Sequence, residues 1–204
     1  VSCLGDGGVV SSIGNSGSGA SNLVLDGGTL GYIGDGDSTN RLFTLGAGGG
    51  VLAASGTGAI NFTNTAAIVL TGSTARTLTL RGTNADNNTL SARIDDASGG
   101  ATRVTKTDAG TWILANDANR YTGVTTISGG VLGVSKLADG GQESSIGMSS
   151  SAASNLVIGN GSTLRYTGSG DSTDRLLTLA QGVSFIESAG SGAVQFTNTS
   201  SATL

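Results

Sequence analysis

Along most of the chain, short runs that alternate apolar and polar residues are separated by clusters of Gly, Ser, Asn and Asp. The runs Asn22 to Leu25, Thr29 to Ile33, Arg41 to Leu45, Ala59 to Thr63 and Thr77 to Leu80 each keep the two-residue period of a half-buried strand. No window sets apolar residues at i, i+3, i+4 and i+7 behind a capping residue, so helix is set aside as a main element. Leu23, Leu42, Ile60 and Leu78 recur at intervals of 19, 18 and 18 residues. That rhythm predicts a coil of about 18–20 residues.

Short strands with Gly-rich turns suit an antiparallel sandwich or barrel as well as a parallel solenoid. The coil-like spacing favours the solenoid. So does an inward set that is mostly aliphatic: Leu45, Ile60, Phe62, Leu78, Leu80, Ile94, Leu114, Ile127, Leu179 and Phe196. Aromatic anchors for a sandwich core are scarce, and outward Thr, Ser and Asn fit strands buried on one side only. The expected fold is all-β: a parallel β-helix forming a single segment over residues 1–204, with roughly ten coils stacked at ~4.8 Å. Open edges at both ends mark such a piece as part of a longer rod.

The chain also repeats itself. Residues 11–65 recur at 144–199 with about 32 of 55 aligned positions identical, far above chance. The second copy inserts one residue where Asp26-Gly27-Gly28 becomes Gly159-Asn160-Gly161-Ser162, and a strand-turn-strand unit absorbs an insertion at such a turn.

Composition changes the picture mainly by exclusion. Gly is abundant at 36 residues, yet 37% of the chain is hydrophobic and 12% charged, which is not the signature of disorder. The complete absence of Pro suits a backbone whose N–H groups are needed in ladders. With no His and one Cys, Cys3, there is no histidine triad, no His-ligated zinc and no internal disulfide. A net charge of −4, with the basic residues scattered singly, argues against nucleic acid as a partner.

Between the two copies lies VTKTDAGTWILANDANRYTGVTTISGGVLGV, residues 104–134. This stretch resembles the passenger-associated β-strand repeat of bacterial autotransporters, matching it at Lys106, Thr107, Gly110, Thr111, Leu114, Asn119, Tyr121, Thr122, Gly123, Thr125, Thr126, Ile127, Gly130 and Leu132. Asp108 stands where the pattern has Gly, and Val124 where it has the second Gly of a pair. The resemblance implies a passenger segment of a type V secreted protein, displayed at the cell surface and anchored to the outer membrane by a C-terminal translocator barrel. It implies a non-enzymatic stalk for adhesion or cell–cell association. The partners are then a host surface or matrix component, or another copy of the protein on a neighbouring cell. Scarce Cys and absent Pro fit export of an unfolded chain that folds outside.

No residue is assigned a catalytic, cofactor or metal role, and the ligand-binding positions are left open. The nearest approach to a metal loop is Asp35-Gly36-Asp37, which resembles a weak calcium cluster without a downstream bidentate Glu. Its second copy keeps only Asp171, so a solvated turn is favoured, with Asp37–Arg41 and Asp171–Arg175 as stabilising pairs. Asp95-Asp96 is the densest carboxylate pair. Neighbours on a strand face opposite ways, so it is read as a turn, and the two glutamates, Glu143 and Glu187, lie far apart. Two rival readings are a polysaccharide-active or tailspike-like β-helix and an oligomerising toxin passenger. Outward Thr and Ser rows, with Tyr32, Tyr121 and Tyr166 as exposed aromatics, are the surfaces left for recognition.

Overall fold

Each alternating run forms a strand that pairs in parallel with a run one coil later, and this rule builds the whole molecule. The computed structural model describes residues 1–203. One seven-stranded sheet stacks Gly28–Tyr32, Gly50–Ala54, Arg76–Arg81, Thr102–Lys106, Thr125–Ile127, Leu156–Ile158 and Thr178–Leu179. It is called sheet one. Sheet two stacks Asp35–Thr39, Gly58–Phe62, Asn88–Leu90, Thr111–Leu114, Val131–Val134, Thr163–Tyr166 and Phe185–Ser188. A third face is made by Val24–Leu25, Thr44–Leu45 and Val69–Leu70 early in the chain, and Ser169–Thr173 pairs with Gly192–Phe196 late in it. The fold is therefore all-β and solenoidal, of about eight turns; among the described residues the only helical elements are two 3-10 turns, Ala20–Asn22 and Ala153–Asn155.

Pairing registers give coils of 22, 28, 26, 21, 31 and 21 residues down sheet one. The coil is thus longer than the 18–20 residues expected, and the coils are fewer. The cause lies in what the apolar rhythm was counting. Ile60 belongs to sheet two and Leu78 to sheet one, so the interval between them steps from face to face instead of closing a turn.

Alternate residues of each strand point into one continuous core. Leu30, Leu52, Leu78, Leu80, Val104, Ile127 and Ile158 fill it from sheet one, and Ile60, Phe62, Leu90, Leu114, Leu132 and Leu164 from sheet two. Each such side chain contributes about 1.5–3 kcal/mol by leaving water. The core holds more aromatic rings than its aliphatic pattern suggests. Phe43 meets Phe62 edge-on at 6.3 Å, and Phe62 stacks on Trp112 at 6.5 Å. Tyr32, Tyr121 and Tyr166 are buried as well, not exposed. The hydroxyls of Tyr32 and Tyr166 accept from Gly36 N–H and Gly170 N–H at 2.9 and 3.0 Å, which lets a polar tip close a corner from inside. Of the expected inward residues, Phe196 is 40% exposed and Leu179 half-buried: Gly192–Phe196 is the outer strand of its sheet, and Thr178–Leu179 is followed among the described residues by only a single bridge to Thr203.

The duplicated runs do not occupy the same faces. Val24–Leu25, Gly28–Tyr32 and Asp35–Thr39 lie on the third face, sheet one and sheet two in turn. Their counterparts Leu156–Ile158, Thr163–Tyr166 and Ser169–Thr173 lie on sheet one, sheet two and the late two-stranded sheet. The second copy sits one face further round the rod.

Candidate functional site

Two lobes leave the rod, and matching side chains latch both. In the second copy the lobe is residues 137–151, and its latch is Arg175. The Arg175 Nε donates to Leu137 O and Ala138 O, Nη1 to Ser149 O and Oγ, and Nη2 to Gly147 O at 2.9 Å, with longer bonds to Asp139 O and Gln142 O. Arg41 repeats the pattern for residues 5–17, donating to Gly5 O, Ser16 O and Oγ, and Gly14 O. Five guanidinium protons in a planar fork suit a ring of carbonyl oxygens that no lysine would match.

Carboxylates close the lobes from the other side. Asp37 Oδ2 accepts from the N–H groups of Leu4 and Gly5, and Asp171 Oδ2 from those of Leu137 and Ala138. Gly7 donates to Asn40 and Gly140 to Asp174, while Asn40 and Asp174 donate from their own N–H to Asp6 and Asp139. The expected Asp37–Arg41 and Asp171–Arg175 ion pairs do not form; each partner holds the same lobe through its backbone. Three backbone N–H bonds hold the Asp37 carboxyl below its usual range, although burial acts against them. Asp35 is exposed, and its side chain takes no part in the latch.

The passenger-like stretch supplies the seat for the second lobe. Asn119 Oδ1 accepts from Ile94 N–H, and its Nδ2 donates to Asn116 O and Ser145 O, tying the coil before to the lobe after. Tyr121 is fully buried beneath the lobe, shares a 2.8 Å hydrogen bond with Thr125 Oγ1, and its carbonyl accepts from Met148 N–H. Asp117 Oδ1 accepts from the hydroxyls of Ser135 and Ser145, both at 2.6 Å. Asp108, standing where the family pattern has Gly, adopts φ 57° and accepts from Gly82 N–H, so a carboxylate bond compensates a left-handed backbone.

Lys106 is the third buried cation. Its Nζ donates to Thr107 O, Asp108 O and Gly129 O at 2.6, 2.8 and 2.9 Å. Burial pulls its pKa down to about 8, with Asp108 opposing. The unfolded chain, with the ordinary value of 10.5, holds this proton longer than the native state. Lys106 therefore makes stability rise with pH from about 8 to about 10.5. The expected result in urea unfolding is that the stability gap between the wild type and Lys106→Met widens in wild type's favour across that window; a gap that stays level at every pH contradicts it.

The remaining charges separate by face. Arg93–Asp95, Arg120–Glu143 and Arg165–Glu187 form ion pairs at 3.0, 2.7 and 2.7 Å. Asp96 instead accepts from Thr102 N–H and from the N–H and hydroxyl of Thr122, closing the corner that its sequence predicted. Arg76 is buried on the carbonyls of Leu45, Thr71, Gly72 and Thr74. Among the described residues, Arg81, Arg103 and Lys136 alone of the ten basic side chains carry neither an ion pair nor such a carbonyl cage. On the outer side of sheet one, Thr29, Val51, Thr79, Thr105, Thr126, Val157 and Thr178 share one register position down all seven strands. The corresponding row of sheet two reads Ser38, Asn61, Thr89, Ile113, Gly133, Arg165 and Glu187.

A family model for the passenger-associated-transport repeat matches residues 104–134. The Adhesin BmaC autotransporter of Brucella suis biovar 1 is 60% identical over 200 residues, which is 97% of this chain. The chain is an autotransporter passenger segment. It spans 6% of the length of that relative. No solved structure matches it. The family's repeat thus coincides with the coil that seats the second lobe of the passenger segment. The latches themselves were missed by sequence reasoning, although one signal for them was present: Leu4-Gly5-Asp6-Gly7-Gly8 aligns with Leu137-Ala138-Asp139-Gly140-Gly141, upstream of the repeat as counted.

Proposed function

We propose that this segment is a non-enzymatic, adhesive part of a surface-displayed passenger, held outside the cell by a translocator barrel elsewhere in the full protein. The observation that carries the reading is the 60% identity with an adhesin over nearly the whole chain. The structure supports it by how its polar groups are used. Asp37, Asp171 and Asp96 accept backbone N–H bonds, and Asp95, Glu143 and Glu187 are paired with arginines. What remains free is a long, rigid outer surface on which many weak contacts add. Its target is a host surface or matrix component, or a second copy on a neighbouring cell.

The test is a display strain carrying the passenger with and without residues 1–204, scored for attachment to host cells, to matrix proteins and to itself. The expected result is a loss in at least one of the three when the segment is removed. Equal attachment in all three, with equal amounts of passenger on the surface, overturns an adhesive role and leaves a spacer.

A further inference from the structure

We propose that the outer face of sheet one binds a linear acidic polysaccharide, one carrying carboxylate or sulfate groups, laid along its threonine row between Arg81 and Arg103. The proposal rests on the adhesive reading above and names the ligand class for it.

The chain is acidic overall, with 14 Asp and Glu against 10 Lys and Arg. Sheet one reverses that balance locally. The outward positions of its seven strands are Thr, Val, Gly, Ala and two arginines, with no carboxylate among them. Both arginines are exposed and, among the described residues, have no acidic partner within ion-pair distance. The carboxylates at the neighbouring corners are already engaged: Asp96 by Thr102 and Thr122, Asp108 by Gly82, Asp26 by Gly48. On sheet two, by contrast, Arg165 is neutralised by Glu187.

The two guanidinium groups are placed as a clamp. Arg81 lies two residues after Thr79 on its strand, and Arg103 two residues before Thr105 on the next, where Thr79 and Thr105 are register partners. Each arginine therefore starts about 7 Å to one side of the row, on opposite sides. The row repeats every ~4.8 Å, close to the advance of one sugar ring in an extended glycan. Threonine hydroxyls both donate and accept, which suits a polyhydroxylated chain, and a guanidinium fork suits a carboxylate or sulfate. The row lacks the aromatic and large apolar anchors that centre a protein interface, since Val51 and Val157 are half-buried between threonines.

The experiment uses the whole 204-residue segment with heparin, a uronate polymer, neutral dextran and polyglutamate as probes. Binding is measured by surface plasmon resonance at low and at roughly 0.3 M salt, where screening is strong. Heparin and the uronate polymer are expected to bind, dextran not, and the added salt to weaken binding at least tenfold. The double variant Arg81→Gln/Arg103→Gln should lose tenfold or more. Lys136→Gln, the same loss of charge elsewhere, should leave binding within twofold. A triple Thr79→Val/Thr105→Val/Thr126→Val variant keeps the β-branched shape and both arginines and should weaken binding severalfold. Circular dichroism and melting checks each variant's fold.

Unchanged binding by the double variant, loss of binding in Lys136→Gln as large as in the double variant, or polyglutamate binding as tightly as heparin overturns the proposal. The last outcome would assign the face to an acidic peptide. If acidic polysaccharides fail to bind while the display strain still loses attachment on removal of the segment, the ligand class is wrong and the adhesive reading stands.

Discussion

Arg175→Met is expected to free the lobe over residues 137–151 and to destabilise the segment by about 3–5 kcal/mol, because each buried carbonyl left without a donor costs about 1–3 kcal/mol. The guanidinium is buried, and all of its partners are neutral: six backbone carbonyls within 3.5 Å, two of them at 3.4 Å, and the Ser149 hydroxyl. Methionine fills the volume and donates nothing, so the carbonyls of the buried Leu137, Gly147 and Ser149 lose their partner. Burial pulls the Arg175 pKa below its ordinary value, with nearby Tyr121, Asp174 and Asp139 acting against that shift, yet an arginine stays charged at neutral pH. The measurement is limited proteolysis alongside urea unfolding. New cleavage between Gly140 and Ser145, appearing before global unfolding, is the expected sign. A variant that resists protease like the wild type would mean that Asp171 and Asp174 hold the lobe unaided.

Gly82→Ala should do still more damage, in the range above about 4 kcal/mol where a named steric cause is required. Gly82 has φ +113°, and a Cβ there would run into the backbone of Ala54 on the preceding coil. Two coils would have to part for it to fit. Gly27→Ala separates this effect from backbone strain alone: Gly27 has φ +77° with open space around its Cβ position. It should cost only about 1–2 kcal/mol, the ordinary price of a left-handed residue. Similar losses for the two variants, read from urea midpoints, would remove coil stacking as the cause.

The strands were legible because a period of two with Gly at the corners has few other uses, and the one-sided burial of Thr77 to Leu80 or Thr102 to Lys106 follows directly from it. Coil length was not legible. Leu23, Leu42, Ile60 and Leu78 look equally spaced, but corners of variable length carry the chain from one face to another between them, and spacing along the chain does not record which face is reached. The tyrosines misled for a related reason: a Tyr whose hydroxyl reaches a corner N–H, as Tyr32 does at Gly36, is satisfied indoors while its sequence neighbours look like loop. Arg41 and Arg175 are the deeper omission. A buried arginine caged by carbonyls has no acidic partner nearby in sequence to announce it, and only the folded lobe brings its acceptors together. The face of sheet one carrying Arg81 and Arg103 was similarly hidden, because a charge of −4 averaged over the whole chain conceals a local surplus of the opposite sign.

The shift of the second copy by one face has a consequence for a rod tethered at one end. Such a rod has no control over its own roll, and a feature present along a single meridian would face away from a target in many orientations. Under the adhesive role proposed above, two equivalent lobes set at different azimuths, with their separate latches, would widen the range of roll angles from which one molecule meets a flat surface. Duplication without that rotation would add length alone; with it, the repeat adds angular coverage.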